Sequence, residues 1–160
     1  MSFRLAIFTS VAALAAMPGA ARAQVLLERN VSVEMAMTIA QAALAECGPK
    51  VSIAIVDRSG RLRLFLQGDG ASPHNIELAR RKAYTAETFG RTSLEWAQRA
   101  QSKNPGQLML TDVMTQQGGV PIKIGDETIG GVGLSGAPNG GEQEEACGRD
   151  GIAKVANQLK

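Results

Sequence analysis

Aromatic residues are scarce in this chain: Phe, Trp and Tyr together make up 4% of 160 residues, with one Trp and one Tyr. There is a single histidine, His74, and there are two cysteines, Cys47 and Cys147. One histidine excludes a metal centre built from several imidazoles. No Cys-x-x-Cys-His run occurs, which excludes covalent attachment of a c-type haem. Charge of one sign is also lacking. The formal net charge is +2, and both excess cations, Arg4 and Arg22, fall in the first 23 residues. The remainder is formally neutral, which argues against nucleic acid as a partner, since phosphate binding needs a net basic face.

Long apolar runs are missing too, with one exception near the start. Arg4 is followed by the mostly apolar stretch Leu5 to Met17, a Pro18-Gly19 break, and the small-x-small triplet Ala21-Arg22-Ala23. That order is a cleavable export signal, with cleavage expected after Ala23. The run is shorter than the roughly 20 residues a spanning helix needs, the alternative reading being an uncleaved anchor. Residues 1–23 are thus expected to be removed, leaving 24–160 as one exported domain, periplasmic or secreted, with no membrane attachment. In an oxidising compartment two cysteines suggest a Cys47–Cys147 bridge. It would close a loop of about 100 residues, worth up to ~4.7 kcal/mol in the chain-entropy account. The alternative is two buried thiols that never meet.

Ser32 is placed to cap a first helix, with Glu34 in its first turn and Ala36, Ile39, Ala40, Ala43 and Cys47 at helical spacing. Gly48-Pro49 ends it. Residues 51–56 (VSIAIV) read as a buried strand and 61–67 (RLRLFLQ) as a strand with one wet face, joined by a turn at Asp57–Gly60. A long helix is expected from about Asn75 to Phe89, stopped by Gly90, then a shorter one capped by Ser93. Residues 108–114 read as either a short strand or an irregular segment. Val120–Ile124 and Thr128–Leu134 form a second hairpin around Gly125-Asp126-Glu127, and a last helix is expected from about Glu142 to Leu159. Strands arriving as hairpins imply an antiparallel sheet with helices packed on it, an α+β domain.

Two motifs look like sites. Gly131-Val132-Gly133-Leu134-Ser135-Gly136 matches G-x-G-x-x-G, but no second parallel strand and acid can follow in the residues that remain, so it reads as a glycine-rich strand end packing against a helix. Gly133-Leu134-Ser135-Gly136-Ala137 misses the nucleophile elbow at its final residue, and the only histidine lies upstream, so Ser135 reads as a turn residue. His74 sits at or just before a helix start, able to ligate iron, bind an acidic ligand, or simply begin the helix. Arg80, Arg81 and Lys82 point about 100° apart on one helix, so at least one can face a cleft and bind a carboxylate. Glu142, Glu144 and Glu145 read as acids at a helix N-terminus.

Four segments carry a family resemblance: SIAIVDRSGRL (52–62), GDGASPHNIELARRKAYTAETFG (68–90), GGVPIKIGDETIGGVGLSGAP (118–138) and EEACGRDGI (144–152). In this order the chain resembles the GlcG/HbpS-like proteins, described as haem-binding or haem-degrading domains. The resemblance implies a profilin-like α+β fold, an antiparallel sheet of about five strands with helices on its faces, and a homo-oligomer. It implies a ligand site among Asp69, His74, Arg80, Lys82, Thr85 and Gly119, and haem as the cofactor, with His74 as the iron ligand. Tyr84, Met109 and Met114 are the other residues able to reach iron. With so few aromatics, a haem would lie in a surface groove or between subunits. The expected function is haem sequestration or protection. The alternative is a non-enzymatic sensor or accessory module binding a small organic acid through Arg80, Lys82 and the backbone amides near Gly119. An enzyme acting on such an acid is a third reading, with no catalytic set to name.

Overall fold

The computed structural model describes residues 24–160; the export signal expected at 1–23 lies outside them. The elements run α1 (Val33–Cys47), β1 (Ser52–Asp57), β2 (Leu62–Gln67), α2 (Asn75–Phe89), α3 (Ser93–Lys103), a 3₁₀ turn (Pro105–Met109), β3 (Gly119–Ile124), β4 (Glu127–Ser135), α4 (Gly141–Ala153) and a final 3₁₀ turn (Ala156–Gln158). The strands form one antiparallel sheet in the order β2-β1-β4-β3.

Alternation along the two central strands sorts side chains by size. Ile53 and Ile55 on β1, paired with Leu134 and Val132 on β4, face the core that α1 and α4 close. Ala54 and Val56 face the other way and meet Ala79 and Ala83 of α2. On that same face β4 presents Gly131 and Gly133. A Cβ at Gly133 would overlap the Ala79 carbonyl oxygen, and one at Gly131 the Ala83 carbonyl oxygen. The glycine motif therefore serves close packing of a strand against a helix, as its context predicted.

α1 begins as its sequence dictates, with Ser32 Oγ accepting from Met35 N–H at 3.1 Å, and its five expected inward residues are all buried. Cys47 at its end is bridged to Cys147 in α4, with Cα atoms 5.9 Å apart. The bridge ties together the two helices on that face of the sheet.

The sheet has four strands among the described residues rather than about five. Residues 108–114 do not pair: Pro105 opens a 3₁₀ turn there, and Asp112 adopts a left-handed φ of 68° that no regular strand continues through. α3 is capped by Thr92, not Ser93. Thr92 and Glu95 form a reciprocal capping box, while Ser93 is buried one residue inside the helix. Ser135 is the last residue of β4 instead of a turn residue, and the last helix ends at Ala153.

Candidate functional site

At the end of the sheet where β4 stops, the N-termini of α2 and α4 converge on an open cleft of about 480 Å³. His74 and Leu78 come from the start of α2, Leu94 from α3, Thr115–Gln117 from the segment before β3, and Gly140–Gly141 from the start of α4. The cleft floor is polar and fully organised. Lys82 and Glu144 are 3% and 4% exposed, yet both carry a formal charge, which they neutralise in each other at 2.5 Å. Lys82 Nζ also donates to the Leu134 carbonyl at 3.0 Å. The other carboxylate oxygen of Glu144 accepts from Gly136 N–H at 2.8 Å and Ala137 N–H at 3.3 Å. Gly136, at φ 105°, makes the bend that points its amide there. Ser135 Oγ donates to Asn75 Oδ1 at 3.0 Å, closing the floor between β4 and α2.

His74 lies on the rim, exposed, directly before α2; its side chain makes no capping hydrogen bond. Its ring is therefore not consumed in starting the helix. Asp69 is exposed in the loop that precedes it and does not line the cleft.

The structure separates Arg80, Thr85 and Gly119 from His74. Arg80 turns away from the cleft and pairs with Asp112 at 2.6 Å and Glu77 at 3.0 Å. The hydrogen bond from Arg80 holds the Asp112 carboxyl below the ordinary carboxylate range, and the same bond raises Arg80. Thr85 is buried, donating to the Arg81 carbonyl at 2.8 Å and accepting from Met114 N–H at 2.7 Å. Gly119 donates to Ser93 Oγ at 3.0 Å, and a Cβ there would overlap the Lys82 carbonyl oxygen. Ser93 Oγ in turn donates to the Gln116 carbonyl at 2.7 Å. Arg80, Thr85 and Ser93 thus fasten the 104–118 segment, which supplies one wall of the cleft. Of the six residues expected to line the site, His74 and Lys82 are brought to the cleft, and Lys82 meets it as part of the internal ion pair.

The cations offered to an organic acid are already spent on Asp112, Glu77 and Glu144, and the Gly119 amide on Ser93. Tyr84 packs against Gly60 at the turn between β1 and β2. Met109 is 86% exposed and does not line the cleft. Sequence reasoning missed Glu144, Asn75, Leu94 and the Thr115–Gln117 wall. Glu144 looked like one of three helix-start acids; only its partner 62 residues away distinguishes it. No group of three or more His, Cys, Asp or Glu is placed to hold a bare metal ion among the described residues. A single imidazole at a cleft rim does suit a macrocycle that already supplies the other ligands of its metal.

Comparison with known proteins bears on the family and the fold. Among curated proteins, none matches the sequence significantly. Among solved structures, a double mutant of Streptomyces reticuli HbpS superposes with a TM-score of 0.78 at 33% identity, over 88% of this chain and 98% of that one. The PduOC–haem complex superposes at 0.68 with 25% identity, over 77% of this chain and 93% of that one. Klebsiella pneumoniae ORFY, at 21% identity, shares the fold with a TM-score of 0.73 over 84% of this chain and 97% of that one. The family model described as "Haem degrading protein HbpS-like" matches residues 31–153. With the motif segments, the fold and the family match in agreement, the chain belongs to the HbpS-like family.

Proposed function

We propose that this protein is an exported haem-binding protein that sequesters haem, holding it in the cleft between α2, α3 and α4 with His74 as the iron ligand. The observation that carries the reading is the position of the only histidine: exposed at the cleft rim and not engaged as a helix cap. Three features support it. Leu78 and Leu94 offer apolar contact to a ring face. The N-termini of two helices, 15 and 13 residues long, meet at the cleft, and their dipoles favour anionic substituents such as propionates. The family and the PduOC–haem complex supply the ligand class. The cleft is open, so haem held there would bind with modest affinity, and a second copy of the chain would be able to cover it, in keeping with a homo-oligomer. Export rests on the Arg4–Ala23 leader pattern.

The test is a hemin titration followed by absorbance, with His74→Ala in parallel. The expected result is a saturable Soret shift that His74→Ala weakens at least tenfold and changes in position. A shift identical in both proteins rejects His74 as the ligand. No saturable shift rejects the haem reading.

A further inference from the structure

A second groove adjoins the cleft. It has a volume of about 340 Å³, runs along the outer face of α3, and is lined by Leu94, Ala97, Gln98, Gln101, Leu108 and Thr115. Leu94 and Thr115 line the cleft as well, so the two spaces meet across this pair. Their chemistry differs. The cleft floor carries the charged pair, Asn75 and the two helix starts, whereas the groove has an apolar base of Leu94, Ala97 and Leu108 with glutamines at its edge. That base is backed by Trp96, Ala100, Phe89 and Val113, with Phe89 and Trp96 stacked at 4.6 Å, so it is a firm surface and not a collapsible one.

We infer that the α3 groove is the second half of the ligand site: a tetrapyrrole lies across Leu94, with its propionate edge at the helix starts and its apolar edge over Ala97 and Leu108. This rests on the haem reading above and extends it. A flat, rigid macrocycle cannot bend into one compartment. Its metal sits at its centre, so a ring ligated from the His74 rim must project on both sides of that contact. The polar compartment suits the carboxylates and the apolar groove suits the vinyl and methyl edge, where burial of apolar surface supplies affinity that iron ligation does not. Leu94 is then the residue that selects a broad planar ligand over a small acid, which would occupy the cleft alone.

Metal-free protoporphyrin IX separates groove contacts from iron ligation. Its fluorescence on titration with the protein is expected to rise and saturate, and to do so within threefold in His74→Ala, because no iron is ligated. Gln98→Trp fills the groove from an exposed position on α3 and is expected to weaken both protoporphyrin and hemin binding at least tenfold. Arg99→Trp, an exposed position on the same helix that lines neither the groove nor the cleft, binds both as the parent does, and an unchanged melting temperature in each variant shows that the fold is intact. Hemin binding that depends on His74 but is indifferent to Gln98→Trp leaves the haem reading standing and overturns the groove. Absence of hemin binding in the parent protein overturns both.

Discussion

The Lys82–Glu144 pair is where single residues matter most. Two charges taken out of water are tolerable only while each has the other, and Glu144 also anchors the amides of Gly136 and Ala137. Glu144→Ala leaves a buried ammonium with only the Leu134 carbonyl, and is expected to lower stability by about 3–5 kcal/mol. The double variant Lys82→Met/Glu144→Met removes both charges and is expected to recover most of that loss. Urea unfolding of the single and double variants checks this; equal losses in both would show that the pair contributes through packing alone. Lys82 was legible in the sequence only as one of three adjacent cations. Which of them turns inward depends on the 100° step between neighbours and on what faces each direction. Arg80 meets Asp112 and Lys82 meets Glu144, contacts spanning 32 and 62 residues that no local pattern contains.

At the scale of elements, legibility tracks how local the determining contacts are. The bounds of α2 match the spacing and its Gly90 stop, and the strands around Asp57–Gly60 and Gly125-Asp126 follow from alternation between turn residues. The 104–118 segment was unreadable because its shape is imposed from outside, by Arg80, Thr85 and Ser93, and because Asp112 holds a left-handed backbone conformation that is uncommon outside glycine. The cleft wall it forms was hidden for the same reason, so the sequence pointed to His74 but not to its surroundings. α2 also carries a pH dependence. Burial pushes the Glu87 carboxyl above its ordinary value, and repulsion from Asp57 adds to this, against a hydrogen bond from Thr88 and the charge of Arg58. A carboxyl raised on folding binds more protons in the native state, so its contribution falls as pH rises from the ordinary glutamate range through the raised value. Glu87→Gln is expected to flatten that part of the stability profile and to raise stability at neutral pH relative to the parent. Unfolding free energies measured from pH 4 to 7 decide it; parallel profiles would contradict the assignment.

For the whole molecule, the sheet divides the chain into a stapled face and a face that carries the cleft. On one side α1 and α4 close the larger core and are joined by the Cys47–Cys147 bridge; on the other, α2 packs on small residues of the sheet, α3 packs beside it through Trp96, and together they carry the cleft and its groove. The bridge encloses a separation of 100 residues, and reduction is expected to cost about 2–5 kcal/mol. Thermal melts with and without reductant should show a clear fall in midpoint; overlapping melts would mean that the core alone secures these helices. α4 belongs to both faces, since its start lines the cleft while its Cys147 is bridged. No helix among the described residues is long and apolar enough to cross a membrane.

If haem occupies the cleft between α2, α3 and α4, its paramagnetic ferric iron broadens nearby amide resonances, so the direct measurement is an amide NMR spectrum of the protein with and without one equivalent of hemin. Broadening is expected to centre on His74–Leu78, Leu94–Gln98, Leu108, Thr115–Gln117, Ser135–Gly136 and Gly140–Glu144. Broadening centred instead on the surface between β3 and the end of α4, around Lys123, Arg149 and Ile152, would place the ligand elsewhere and contradict it.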